Sequence, residues 1–148
     1  TMMFGTVETD EEIIEHWELL RKLQDKTGGF RAFIMWSFQG SNTQLKAEIP
    51  DIQPQSSNRY LRLLAVSRLY LDNFANMQSS WVTQGSYIGQ LALKFGANDL
   101  GSTMMEENVV KAAGAANRMN QEEMIRLIRD IGENPAKRNT AYEILERF

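Results

Sequence analysis

Cysteine is absent from the 148 residues of this chain. Disulfides, thiolate nucleophiles and cysteine-held metal or iron–sulfur centres are therefore beyond what it can build by itself. A single histidine, His16, nearly excludes a histidine-based triad assembled within the chain. With three prolines and ten glycines, scattered rather than clustered, nothing reads as a low-complexity linker. No apolar run approaches the ~18 residues a membrane-spanning helix needs. The first residues lack the basic stretch and apolar core of a signal peptide, so the expected location is cytoplasmic. Positive charge is also in deficit: 16 Lys and Arg against 19 Asp and Glu give a net charge of −3. A surface of that balance releases few counterions from a polyanion, which argues against duplex nucleic acid or an anionic membrane as partner. Small neutral or anionic metabolites remain.

What the chain does have is a repeated local pattern. Short β-rich apolar runs lie at Thr1–Gly5, Ala32–Phe38, Met77–Val82 and Asp99–Thr103, with helical segments between them. The first begins at Thr1 without a lead-in, as in a piece of a longer strand-helix repeat. Strands alternating with helices predict an α/β fold with a parallel sheet. In such sheets chemistry gathers at the C-terminal ends of the strands, so the residues just after each run are the places to search.

Thr9-Asp10-Glu11-Glu12 reads as a helix start, with Thr9 as cap, Glu12 closing a capping box and three acids at the positive end of the dipole. Ile13, Trp17, Leu20 and Gln24 share one face, and Gly28-Gly29 predicts the stop. Residues 39–56, with Pro50 and Pro54, form a loop long enough to expect function from it. Ser57 is the expected cap of the next helix, whose apolar positions run nearly all round and predict heavy burial. A short helix is expected over Ile88–Phe95. Asn120 opens another that runs to Gly132, and Pro135–Asn139 reads as a turn. Strand-helix units thus occupy residues 1–104 and a helical tail 105–148.

Five blocks carry a family likeness: Met3–Thr9, Phe38–Thr43, Tyr60–Val66, Gln78–Gly85 and Gly96–Val109. In this order and spacing they resemble the C-terminal half of the radical S-adenosylmethionine enzymes of the futalosine route to menaquinone, the cyclic dehypoxanthine futalosine synthase family in particular. The likeness implies about four strand-helix units of a TIM-type barrel plus a helical tail. It also implies S-adenosylmethionine and a [4Fe–4S] cluster in a full-length parent. The cluster's Cys-x-x-x-Cys-x-x-Cys loop has no counterpart here, which implies that this chain is inactive alone. Where the family often has a proline before the Phe-Gln block, Met35-Trp36-Ser37 stands instead. The related aminofutalosine and deazaflavin synthases share several of the blocks.

By that resemblance Met3 lies against the adenine, Gly5 permits close backbone approach and Glu8 orients the loop. The residues alone equally allow a buried strand followed by a helix-start acid. Trp36, Phe38, Gln39 and Asn42 offer aromatic surface and amides suited to a nucleoside-like substrate, or core packing. Strand alternation lets only one of Trp36 and Ser37 point inward. Ser80 and Gln84 belong to a run unusually polar for a parallel strand, fitting an enclosed polar ligand or hydroxyl-to-backbone bonds. Ser102 and Thr103 end the fourth run as further substrate contacts. Glu106 and Glu107 are the candidate catalytic carboxylates, unless they serve only a helix N-terminus. No metal ligands are assigned. The likeness implies a 5′-deoxyadenosyl radical that abstracts hydrogen from the ribose of dehypoxanthine futalosine, followed by cyclisation. A non-catalytic, self-associating α/β domain is the rival reading. In either case the unpaired edges of a half barrel predict a homo-oligomer.

Overall fold

The computed structural model describes residues 1–103 and 117–148. Strands β1 (Met2–Phe4), β2 (Ala32–Ser37) and β3 (Asn76–Gln78) form a parallel sheet in sequence order. Met2 pairs with Met35, Met3 with Trp36, Phe33 with Met77 and Ile34 with Gln78. Next to β3 the fourth run contributes one parallel bridge, Gln78 to Asp99, and the Ser79 N–H donates to the Asp99 carbonyl at 2.8 Å. The α/β class with a parallel sheet is therefore observed.

Helices α1 (Asp10–Thr27) and α3 (Ser57–Tyr70) make the two crossovers, and the short α2 (Gln44–Glu48) sits within the long loop. Helix α1 begins and ends as its sequence dictates. Thr9 accepts from the Glu12 N–H while the Glu12 side chain accepts from the Thr9 N–H, and Gly28 closes the helix at φ 58°. Alternation along β1 and β2 sends Met2, Phe4, Phe33 and Met35 into a core shared with Ile13, Trp17, Tyr60, Leu64 and Met77. Each large apolar side chain so buried contributes about 1.5–3 kcal/mol. Met3 and Trp36 pair on the other face of the sheet, where Met3 is 49% exposed. A second core gathers Trp81, Leu100, Met119, Met124 and Leu127.

Several expectations are corrected. The third run is a strand only to Gln78; Trp81–Gln84 is a helix, α4, followed by α5 over Ser86–Ala92 rather than 88–95. The backbone turns there because the Ser80 N–H is taken by the Tyr60 hydroxyl at 2.9 Å instead of by a neighbouring strand. Ser56, one residue before the expected cap, caps α3 by accepting from the Arg59 N–H. That helix also leaves Val66 and Leu69 exposed. The fourth strand shrinks to its single bridge. The tail is not wholly helical: α6 (Gln121–Asp130), capped by Asn120, is followed by an antiparallel hairpin, β4 (Ala136–Arg138) and β5 (Ile144–Arg147). The expected turn at 135–139 is thus mostly β4.

Candidate functional site

Two hollows flank the sheet. The smaller, about 230 Å³, opens at the C-terminal end of β2 and is lined by Ser37 to Ser41, Lys46, Ile52 to Gln55, Ser57, Thr83 and Gln84. The long loop after β2 supplies most of this wall, and α4 closes it. Lys46 is the only charged group among the described residues of the lining. Its ammonium is spent on the loop, donating to the Pro50 carbonyl at 2.6 Å and to that of Ile52. Such bonds hold the loop's shape, since free carbonyls in a loop without ladder partners need donors.

The floor of the hollow is built around Ser37, which is 3% exposed. The Gln39 amide donates to the Ser37 carbonyl and hydroxyl, each at 3.1 Å, and the Gln84 amide donates to the same hydroxyl at 2.7 Å. Phe38, whose N–H extends the ladder to the Phe4 carbonyl at 2.8 Å, adds aromatic surface. The amides, hydroxyls and aromatic ring that the described residues bring to the lining suit a polar small molecule.

Beside this hollow lies the turn after β1. The Glu8 carboxylate accepts the N–H of Gly5, the N–H of Thr6 at 2.9 Å and the Thr6 hydroxyl at 2.6 Å. Burial pushes its carboxyl upward, but the bonds from the Thr6 side chain and from the turn's backbone outweigh it and hold the group below its ordinary value. Gly5 adopts φ +92°, and a Cβ there would stand 2.1 Å from Cγ of Gln55. Glycine at this position therefore answers to a close approach, and the approaching group is a side chain of the long loop.

Of the residues singled out in the sequence, Phe38, Gln39 and Gln84 meet in the smaller hollow. Met3 and Trp36 stand side by side on the open face of the sheet. Gly5 and Glu8 form the neighbouring turn. Asn42 is exposed and outside the lining. Ser80 is buried and outside the lining, its hydroxyl 2.7 Å from that of the lining residue Thr83. Ser102 and Thr103 line the second hollow, about 830 Å³, between residues 97–103, α6 and the hairpin. Glu106 and Glu107 lie outside the described residues. Ser37 was weighed only as the alternative to Trp36 as the inward-pointing residue, and Thr83 and the wall residues Lys46, Gln53, Gln55 and Ser57 were not singled out as site residues, although the length of the 39–56 loop was the signal that would have found the wall.

At the second hollow Asp99 ties the sheet to the hairpin. Its Oδ2 accepts from Arg138 Nη2 at 2.5 Å, Arg138 Nε at 3.2 Å and the Tyr142 hydroxyl at 2.9 Å. The guanidinium stacks 4.0 Å over the Tyr142 ring. Burial, then the negative charge of Asp99, pushes the Tyr142 phenol up to about 12. Among the described residues no group of three His, Asp or Glu is placed to hold a metal ion. Nor is any helix there long and apolar enough to cross a membrane.

A family model described as the CofH/MqnC C-terminal region matches residues 27–148. A Streptomyces coelicolor protein named cyclic dehypoxanthine futalosine synthase is 50% identical over 145 residues, which is 98% of this chain and 35% of the relative. A Halalkalibacterium halodurans protein of the same name is 47% identical over all of this chain and 39% of its own length. A Methanococcus maripaludis 5-amino-6-(D-ribitylamino)uracil–L-tyrosine 4-hydroxyphenyl transferase is 39% identical over 99% of this chain and 42% of the relative. The chain thus spans well under half the length of these curated relatives.

Proposed function

The chain belongs to the CofH/MqnC C-terminal region family, and from that premise we propose that it is the substrate-holding part of a radical S-adenosylmethionine enzyme that cyclises dehypoxanthine futalosine in menaquinone synthesis. The observation that carries this reading is the ranking of the relatives: 50% and 47% identity to cyclic dehypoxanthine futalosine synthases against 39% to the hydroxyphenyl transferase, over nearly the same span. The amide and hydroxyl lining of the smaller hollow supports it, because a nucleoside-like molecule offers matching hydroxyl and base-edge groups. Residues 1–104 are then the strand-helix part of a TIM-type barrel, and 105–148 its tail.

In this reading Gln39 and Gln84 hold polar groups of the substrate and Phe38 gives it apolar surface, while Trp36, beside Met3 on the open face of the sheet, is a proposed contact outside that lining. Met3, exposed beside Trp36, fits a contact with the adenosyl group of S-adenosylmethionine. Glu8 is engaged with its own turn and acts by shaping it. Close backbone approach at Gly5 does not fit as it stands, since Gln55 already occupies that face. The [4Fe–4S] cluster does not fit either: its thiolate ligands cannot come from a chain without cysteine. The chain alone is then inactive. Glu106 and Glu107 remain the proposed acid–base or ribose-binding groups, and Ser102 and Thr103 secondary contacts. β1 pairs with β2 alone among the described strands, and the same reading has its free edge joined in a homo-oligomer, which light scattering measures.

A chimaera tests the assignment. Replacing the matching 145 residues of the Streptomyces relative with this chain should preserve conversion of dehypoxanthine futalosine. Conversion lost while the folded chimaera still cleaves S-adenosylmethionine reductively would sink the substrate assignment. Coupling of tyrosine to the ribitylaminouracil instead would move the chain to the transferase branch.

A further inference from the structure

The two amides that face the smaller hollow both turn their nitrogens to one buried serine. A carbonyl oxygen can only accept, so the Gln39 amide, 3.1 Å from the Ser37 carbonyl, must turn its NH2 that way. The same NH2 reaches the Ser37 hydroxyl, and the Gln84 NH2, arriving from α4, meets that hydroxyl at 2.7 Å. With both nitrogens drawn to Ser37, neither Oε1 takes a hydrogen bond from a described residue. Both glutamines line the hollow.

We propose that Ser37 is a positioning residue that locks the Gln39 and Gln84 amides so that both present their carbonyl oxygens to the ligand in the hollow. Two acceptors fixed on one wall select a ligand face with two hydroxyl or N–H donors, such as the vicinal diol of a ribose. The proposal rests on the substrate-holding reading above and adds the device that sets its polarity. Ser37 is suited to the task because it ends β2: its backbone is held by the ladder opposite Phe4, and its burial shields the bonds from competing water. Removing the hydroxyl leaves Gln39 its carbonyl anchor but leaves Gln84 free to flip and to change rotamer. The competent arrangement is then only fractionally populated, and apparent affinity falls by that fraction.

The test follows the side-chain NH2 signals of Gln39 and Gln84 by ¹⁵N NMR in this chain and in Ser37→Ala and Ser37→Thr variants, with adenosine and 2′,3′-dideoxyadenosine as probes. In the wild-type chain both NH2 groups should show the exchange protection of bonded amides. Ser37→Ala should bring the Gln84 signal to its free-amide position with the backbone spectrum otherwise preserved, and Ser37→Thr, which keeps the hydroxyl, should restore it. Adenosine should bind Ser37→Ala about three- to ten-fold more weakly than wild type, and the dideoxy probe should bind both equally. An unaltered Gln84 signal in Ser37→Ala, or equal adenosine affinity, overturns the positioning role. Adenosine that perturbs no residue of the wild-type hollow would instead undo the substrate-holding reading, while the amide signals still decide the role of Ser37.

Discussion

Replacing Asp99 by Asn should loosen the C-terminal hairpin from the sheet. The substitution keeps the shape and the Oδ1 acceptor that receives the Gly101 N–H at 2.9 Å, and replaces the charged Oδ2 that accepts from Arg138 and Tyr142 by an NH2 that cannot accept. The two side chains are 11% and 21% exposed, which sets the magnitude. A fully exposed pair would be worth about 0–1 kcal/mol, whereas stranding one partner of a fully buried pair costs about 3–5 kcal/mol. With the Arg138 side chain 21% exposed, about 2–3 kcal/mol is expected, or about 4–12 °C in melting temperature for a chain of this size. Urea unfolding followed by tryptophan fluorescence gives the stability. Hydrogen exchange shows where it is lost: amides of residues 136–147 should lose protection while those of β1 and β2 keep theirs. A loss below about 0.5 kcal/mol with the hairpin amides unchanged would refute the latch, since surface changes of no consequence fall in that range.

The Tyr142 phenol, raised to about 12 in the fold from an ordinary value of 10.0, favours the folded state while neutral. Its contribution is complete below pH 10 and is lost as pH climbs towards 12; Tyr142→Phe should remove this alkaline loss from the stability profile. Glu8 has the opposite sign. Held below its unfolded value of 4.5, its contribution is present above that pH and disappears as pH falls through the lower folded value. Glu8→Gln should cost about 1–2 kcal/mol at neutral pH and flatten the acid limb measured by urea titration at stepped pH.

Local signals were legible where the chain settles its own conformation. Thr9 with Glu12 and Gly28 marked both ends of α1, and Asn120 marked the start of α6, because caps are satisfied within three residues. The second strand was plain for its run of β-formers. The third was misjudged at its end because Ser79–Val82 carries strand-like composition, yet Trp81 is pulled into the second core and lies against Gly89, where a Cβ would be 2.5 Å from its own. Such a contact depends on partners distant in sequence, and tertiary packing overrides propensity. The hairpin was hidden for another reason. All four residues of β5 are exposed, so no alternation betrays it, and its turn places Tyr142 at φ 67°, a conformation tyrosine seldom adopts. In the site, Gln39 and Gln84 were foreseeable as polar residues near strand ends. Ser37 was left open, since alternation let only one of it and Trp36 point inward; it shares the buried face of Phe33 and Met35, and its position at the end of the strand brings it to the hollow.

The pairing pattern also bears on how this chain assembles. Met2 meets Met35, and Ala32 meets Asn76, so each ladder closes only after an intervening helix and loop have been gathered in. Helix α1, with signals at both ends, needs no such partner to begin. Closing long loops before their contacts are rewarded slows the search more than it weakens the product. Sheet assembly is therefore the step expected to be slow, and until β2 finds both neighbours its apolar run stays open to pairing with another molecule.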